Sequence, residues 1–224
     1  MNITNSNVSY FNHMGSDLDV VNAARVSFDK ESQWEVAAGY RRYDTGILSE
    51  KDQKLIHYLA KHNHWTPFGH TSISLRIKAP IFVARQLGKH QVGFVWNEVS
   101  RRYVDSQPEF YMPIFRKRAE NVKQGSSDEI IDAEKTIGFE LVVKDCLEQY
   151  NYLLSIGVCP EQARVILPQN MMTEWIWTGS LAAFARVCKL RLDPHTQKET
   201  REVAGYISDE CAKLFPISWT ALTT

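Results

Sequence analysis

The 224-residue sequence predicts an α+β fold. Three observations lead there. From His70 to Lys78, Ile73, Leu75 and Ile77 alternate with Ser72, Ser74, Arg76 and Lys78, the period of two expected of a half-buried strand. Several other segments space their apolar residues at helical intervals behind recognisable start signals. Strands and helices then follow one another without the regular β-α-β alternation of a doubly wound parallel sheet.

In chain order, Ser16-Asp17-Leu18-Asp19 reads as a capping box that opens a helix through about Phe28. The stretch 30–48 has no clear period and is expected to be a loop or a short accessory helix. Ser49 to Asp52 repeats the capping signal before a helix with Leu55, Ile56 and Leu59 on one side. After the strand, Pro80 suits the first turn of a helix, where its missing N–H costs nothing, and that helix is expected to run through about Gln91. Residues 116–127, rich in Lys, Arg, Gln, Gly and Ser, read as a linker. A long helix to Leu154 follows, with Ile137, Leu141, Cys146, Tyr150 and Leu153 as its apolar positions, Gly138 as a weak point and Gly157 as its stop. Pro160 opens another helix, Met171 to Thr178 reads as a strand, and Ser180–Leu190 and Gln197–Leu214 read as helices. No internal repeat is visible, and one domain over residues 1–224 is expected.

Apolar residues make up 44% and charged residues 23%, as in ordinary soluble globular proteins. Lys+Arg and Asp+Glu both total 26, and no basic run offers a face for a nucleic-acid polymer. A mononucleotide or dinucleotide needs only a few placed cations, so neutrality leaves small phosphorylated ligands open. The four cysteines, Cys146, Cys159, Cys188 and Cys211, lie far apart with no C-x-x-C pair, which argues against a zinc ribbon or disulfide framework and suits a reducing compartment. A polar N-terminus and the lack of a long apolar run predict a cytoplasmic protein without a membrane span. His62, His64 and His70 form neither H-x-x-x-H nor H-E-x-x-H, so no metal site is predicted. Cys159 starts a helix, where a thiolate would be stabilised, but it has no partner in sequence and reads as an ordinary helix-start residue. The phosphate loops of Rossmann and P-loop proteins are also missing.

The chemistry concentrates between Arg85 and Tyr103. On the expected helix, Gln86, Lys89 and His90 stand at i, i+3 and i+4 and would share a face. Beyond it, Glu98, Val99, Ser100, Arg101 and Arg102 bring a carboxylate, a hydroxyl and two guanidinium groups together. A hydroxyl and a guanidinium fork suit a phosphate, and a carboxylate suits a base N–H or a ribose hydroxyl. The plain alternative is a polar helix end and a solvated loop with local ion pairs. Arg164 lies near a helix N-terminus, where the dipole does not favour it, so either an anionic ligand or a local Glu is expected beside it. Arg191 closes a helix, where a cation is also favoured for structural reasons alone.

These residues resemble the flavin-dependent thymidylate synthases, and the likeness runs through ordered blocks. Met14–Phe28 is similar to the family's opening helix, and His64-Trp65-Thr66-Pro67-Phe68 with His70 to its H-x-TPFxH segment. Lys78–Gln86 leads into the position of its signature, Arg-His-Arg, then seven residues and Ser. Ala163–Pro168 and Leu190–His195 resemble two further blocks, while 116–135 carries no likeness. The resemblance implies a fold of mixed helices with an antiparallel sheet, and a homotetramer whose active sites are built between subunits. It implies synthesis of dTMP from dUMP, with the carbon taken from methylenetetrahydrofolate and the reducing equivalents passed from NADPH through FAD. By position, Gln86, Lys89, Glu98, Val99, Ser100, Arg101, Arg102, Arg164 and Arg191 are the dUMP set. Arg191 matches the arginine that polarises the uracil ring and favours loss of its N3 proton. Ser27, Thr66, Lys89, His90, Gln91, Glu98, Ser180, Arg186 and Leu190 fall at FAD-contact positions.

The sequence also departs from that pattern. The triplet is Lys89-His90-Gln91, and eight residues, Val92 to Val99, separate it from Ser100. Lys89 keeps a charge but not a bidentate fork, and Gln91 keeps neither. Ser180 and Ala182 stand where many relatives have Asn and Arg. Two alternatives follow: a dUMP-binding relative with an altered transfer, such as hydroxymethylation, and a nucleotide-binding protein without catalysis.

Overall fold

The alternating segment after His70 becomes the spine of the fold, and the other elements are laid against it. The computed structural model describes residues 1–36, 46–120 and 125–224. The chain starts with two strands, β1 (Asn2–Ile3) and β2 (Asn7–Met14). Helix α1 (Asp17–Arg25) follows and tightens into a 3-10 turn over Val26–Phe28, so the expected helix changes pitch in its last residues. Strands β3 (Glu35–Val36) and β4 (Gly46–Ile47) pair antiparallel; the rest of the expected loop or accessory helix, 37–45, lies outside the described residues. Helix α2 (Glu50–Lys61) is capped as expected, Ser49 Oγ accepting from the Asp52 N–H at 3.1 Å, and it buries Ile56 and Leu59. A single turn, α3 (Thr66–Gly69), leads into β5 (Ser72–Pro80) and then α4 (Ile81–Leu87).

Here the sequence expectation needs correction. Helix α4 stops at Leu87, short of Gln91. Gly88 closes it by donating its N–H to Ala84 O at 2.8 Å, glycine being a poor helix former. The following residues turn instead into β6 (Phe94–Glu98), so Gln86, Lys89 and His90 do not share a helix face. After β7 (Glu109–Phe110) come β8 (Arg116–Arg118) and β9 (Ser126–Ile130), which pair antiparallel where the composition predicts a linker; 121–124 lie outside the described residues.

Helix α5 (Ile137–Ser155) is long, as expected, but it turns a different side inward. Val143, Leu147 and Tyr150 are buried at spacings of four and three, while Ile137 and Leu141 are exposed. The expected stripe drifts from the 3.6-residue period and so wanders off the packed face. Gly157, at φ +87°, ends that segment. Helix α6 (Pro160–Ala163) is one turn with Pro at its start and passes into a 3-10 turn at Arg164–Ile166. Strand β10 (Met172–Ser180), α7 (Leu181–Arg191), α8 (Lys198–Leu214) and α9 (Pro216–Thr223) complete the chain.

The main sheet has four antiparallel strands in the order β2-β5-β10-β6. Trp175 lies opposite Ile77, Trp177 opposite Leu75 and Gly179 opposite Ile73, which puts the apolar positions of both central strands on one face. That face joins Val20, Val21, Ile56, Phe68, Phe184, Val187 and Ile207 from the helices in the larger core. The other face is polar: Ser74 and Thr178 are hydrogen-bonded at 2.8 Å, and Arg76 reaches Glu174 at 2.7 Å. A smaller core gathers Phe110, Val143, Leu147, Tyr150, Ala163 and Met171 beneath α5. The two ends of the chain are tied by Asp17, whose buried carboxylate accepts from the N–H groups of Ile217 at 3.0 Å and Ser218 at 2.9 Å and so caps α9. No helix among the described residues is long and apolar enough to cross a membrane.

Candidate active site

Arg191 ends α7 because Ser180 and the alanines behind it start that helix in a fixed place. Ser180 Oγ caps α7 by accepting from the Ala183 N–H at 3.2 Å, and Ala182, Ala183 and Ala185 let the helix sit close to the sheet. At the far end, the Arg191 guanidinium donates from Nε to His90 Nε2 at 3.0 Å and from Nη2 to the Gln86 carbonyl at 3.0 Å. Gln86 is held in turn: its side-chain amide donates to Gln197 Oε1 at 2.6 Å. Gln86, Leu190 and Arg191 line a cleft of about 900 Å³ whose other walls are Asp193, His195–Gln197, Arg116, Gly125 and Ser126.

Through His90 this cleft adjoins a second, of about 330 Å³, lined by Gly88, His90, Gln91, Phe94, Trp96, Glu98 and Trp177. Its back is aromatic. Trp96 stacks on Trp175 with centroids 4.3 Å apart, and Phe94 stacks on Trp177 at 4.4 Å, an approach that Gly179 permits by having no side chain there. Burial, then the charges of Arg191 and Arg186, hold the His90 pKa below its ordinary value.

Glu98 stands at the far edge of this cleft and also lines a third, of about 480 Å³. Its carboxylate is fixed, accepting from Thr173 Oγ1 at 2.6 Å and from Trp96 Nε1 at 3.2 Å. Val99, Arg101 and Arg164 line the same third cleft. Arg101 donates to the Ser106 carbonyl, and Arg164 Nε donates to the Glu161 carbonyl at 3.3 Å. Neither guanidinium forms an ion pair among the described residues, whereas Lys78 in the same cleft is paired with Glu109. The carboxylate of Glu161 goes instead to Arg102 at 3.6 Å, so the local Glu expected beside Arg164 serves its neighbour. Both guanidinium groups thus lack a carboxylate partner among the described residues, while the carboxylates of Glu98, Glu109 and Glu174 line the same cleft.

Ser100 and Arg102 are placed differently. Ser100 Oγ accepts from the Arg102 N–H at 3.3 Å, bending the chain into a turn, and Arg102 is exposed over the ring of Tyr103. Lys89 is exposed on the turn after α4. Ser27 and Thr66 line a fourth cleft of about 800 Å³ between α1, α2 and α3. Ser180 and Arg186 line a fifth of about 480 Å³, which shares Leu59, Asn63, His64 and Trp65 with the fourth. The candidate residues therefore fall into a belt of adjoining clefts and an exposed turn.

Sequence reasoning passes over several parts of this arrangement: Gln197, Thr173, the Arg116–Ser126 wall and the aromatic box. Trp175 and Trp177, two residues apart in a strand, are the available signal for the box. The others are partners distant in sequence and leave no local trace. Burial pushes the Cys188 thiol up to about 12, and Cys211 rises for the same reason, so both stay protonated. Among the described residues, no group of three or more His, Cys, Asp or Glu side chains is placed to hold a metal ion.

Fold and site together define an α+β protein with linked clefts, guanidinium-rich at two of them and aromatic at their junction. The family model described as "Thymidylate synthase complementing protein" matches residues 10–217. A flavin-dependent thymidylate synthase of Thermus thermophilus is 36% identical over 215 residues, covering 96% of this chain and 74% of that protein. One of Thermosipho africanus is 36% identical over 212 residues, covering 92% of this chain and 85% of its own. Among solved structures, the UMP/dUMP methylase PolB of Streptomyces cacaoi bound with 5-Br dUMP is similar with a TM-score of 0.82 and 28% identity, over 100% of this chain and 97% of that one. The chain belongs to the thymidylate synthase complementing protein family, that of the flavin-dependent thymidylate synthases.

Proposed function

We propose that this protein methylates dUMP at C5 of the uracil ring to give dTMP, using methylenetetrahydrofolate as carbon donor and FAD as redox cofactor. The supporting observation is that Arg191 donates to both Gln86 and His90, 105 and 101 residues away in sequence, and that the clefts beside them run on through Glu98 to Arg101 and Arg164.

Each group has a task suited to its chemistry. Arg191 stays protonated at any working pH, and its fixed charge stabilises negative charge spreading over a uracil ring that loses its N3 proton. The immobilised Glu98 carboxylate accepts from a ring N–H or a sugar hydroxyl. Ser100, Arg101, Arg102 and Arg164 supply hydroxyl and guanidinium donors to the phosphate, with Val99 and Lys89 flanking. No cysteine is needed as a nucleophile, which agrees with the protonated, buried Cys188 and Cys211.

The chain's own residues fit a flavin. A Cβ on Gly93, at φ +82°, would stand 3.2 Å from Ala183 Cβ, 3.6 Å from Arg186 Nη2 and 3.7 Å from Ser180 Oγ, so only glycine presents bare backbone there. That cradle adjoins the apolar wall of Leu59, Trp65 and Ala182. Ser27, Thr66, Ser180, Arg186, His90, Gln91, Glu98 and Leu190 would hold the cofactor along the belt of clefts. When bound, the flavin supplies the reducing equivalents, originating from NADPH, that make a methyl group of the transferred carbon. The complete site is composite, formed between subunits of a homotetramer.

The visible spectrum of the purified protein is the first test. Flavin bands are expected, at about 370 and 450 nm as for flavins in general; a colourless protein that FAD cannot reconstitute refutes the reading. Incubation with dUMP, methylenetetrahydrofolate and NADPH is then expected to yield dTMP, and a hydroxymethylated product would correct the reaction assigned.

A further inference from the structure

We propose that His90 is a positioning residue: a neutral imidazole that accepts a hydrogen bond from Arg191 and so fixes the plane of that guanidinium for the substrate ring. This rests on the reading of Arg191 as the residue that polarises the pyrimidine. The guanidinium has two acceptors within one short segment, the Gln86 carbonyl and His90 Nε2, both at 3.0 Å. Those two bonds define its plane and leave its remaining N–H groups for a ligand.

An imidazole nitrogen that accepts from a guanidinium carries no proton, so the Nδ1–H tautomer is specified. The surroundings favour that state. Burial acts most, and helix α7 adds the charges of Arg191 and then Arg186 beside the ring. Across the cleft stands one carboxylate among the described lining residues, Glu98, and both its oxygens already accept from Thr173 and Trp96. This arrangement also gives a reason for the form of the triplet. Lys89 and Gln91 are exposed, while His90 alone is half-buried and bonded to Arg191.

The sign of the pH effect follows. His90 titrates below the usual 6.5. Above that lowered value the ring is neutral and holds Arg191; as pH falls through it, an imidazolium forms beside a guanidinium, and the bond is lost. The acid limb of turnover is therefore expected below 6.5.

Two measurements decide the matter. In protein with isotope-labelled histidine, the His90 signals are identified by their loss in His90→Gln. Nε2 is expected to be unprotonated at neutral pH, with a midpoint that rises in Arg191→Ala. A proton on Nε2, or a midpoint indifferent to Arg191, overturns the proposal. In the second measurement, kcat for dTMP formation is followed against pH. His90→Gln offers an amide oxygen that accepts without titrating, and it is expected to remove the acid limb. His90→Phe offers no acceptor and is expected, at saturating FAD, to lower kcat on the order of 10- to 100-fold with a smaller change in KM for dUMP. A His90→Gln enzyme that keeps the wild-type limb, or a His90→Phe enzyme with unaltered kcat, refutes it. A wild-type protein that makes no dTMP sinks the functional reading alone, and the resonance data still decide the pairing.

Discussion

Arg191 and Asp52 are both fixed by hydrogen bonds, yet one borders an open cleft and the other is closed into the fold. Arg191 gives two of its donors to Gln86 and His90 and lines an open cleft. Arg191→Ala is expected to lower turnover about 10²- to 10³-fold, the usual consequence of removing a charge that stabilises a transition state. Bound flavin should remain, because the cradle of Gly93, Ser180 and Arg186 is untouched; near-normal kcat would refute the role. Asp52 is closed in. Its carboxylate accepts from Arg25 Nε at 3.0 Å, Ser32 Oγ at 3.0 Å and Ser49 Oγ at 2.8 Å. Burial is the largest single influence and acts to raise its pKa, but those hydrogen bonds together hold it below the ordinary aspartate value. A depressed folded-state pKa contributes stability that is present above the unfolded value and is lost as pH falls through the folded one. Asp52→Asn is accordingly expected to cost about 3 kcal/mol at neutral pH by leaving Arg25 without its partner. The deficit should shrink in acid. A thermal or denaturant titration of both proteins across pH checks this, and a pH-independent difference would argue against it.

Among the elements, those whose own pattern decides their fate were legible in the sequence. Strand β5 could be read because one face meets the core and the other meets water, so its residues alternate cleanly. Helix α2 could be read because Ser49 and Asp52 cap it with their own atoms. Strand β6 hid its alternation behind Phe94-Val95-Trp96, three large apolar residues of which only Phe94 and Trp96 turn to the aromatic box. The end of α4 is not legible because Gly88 competes with a helical pattern that continues past it. The site itself was legible as residue types and not as geometry, since its bonds join residues as far apart as His90 and Arg191 or Gln86 and Gln197. The β8–β9 hairpin is the extreme case. Its strands are short and polar, and a tertiary contact holds them: Arg116 donates to Glu199 at 2.9 Å and to Ser126 at 2.8 Å, with both ionic side chains nearly buried. Arg116→Met should strand the Glu199 carboxylate and cost about 3–5 kcal/mol, whereas Arg116→Met with Glu199→Leu should recover most of the loss. Denaturant unfolding of the wild type and the two variants tests this; equal losses in the single and double variants would show that the hairpin is held by something else.

At the scale of the whole molecule, the positions assigned to dUMP do not face a single space. Gln86 and Arg191 line one cleft, Glu98, Val99, Arg101 and Arg164 another, and Ser100 and Arg102 bend into an exposed turn. Along the edge strand β6 and the segments flanking it, Val92, Val95 and Tyr103 are 79%, 66% and 78% exposed. Exposed apolar residues on a sheet edge favour burial against another chain. In the composite site proposed above, the turn of one subunit would meet the Arg191 cleft of another. The consequence can be tested without a structure of the assembly. Arg191→Ala and Arg102→Ala chains should each be nearly inactive alone, because every site then lacks one of its two halves. Co-expressed with different tags and purified through both, mixed assemblies contain some sites that draw an intact Arg191 from one chain and an intact Arg102 from the other. Those assemblies are expected to recover a substantial fraction of native turnover. If both residues served a site within one subunit, every site would remain defective, and mixed assemblies would be as inactive as their parents. Inactivity of mixed assemblies shown to hold both chains would thus overturn the composite site and leave each subunit to bind dUMP alone.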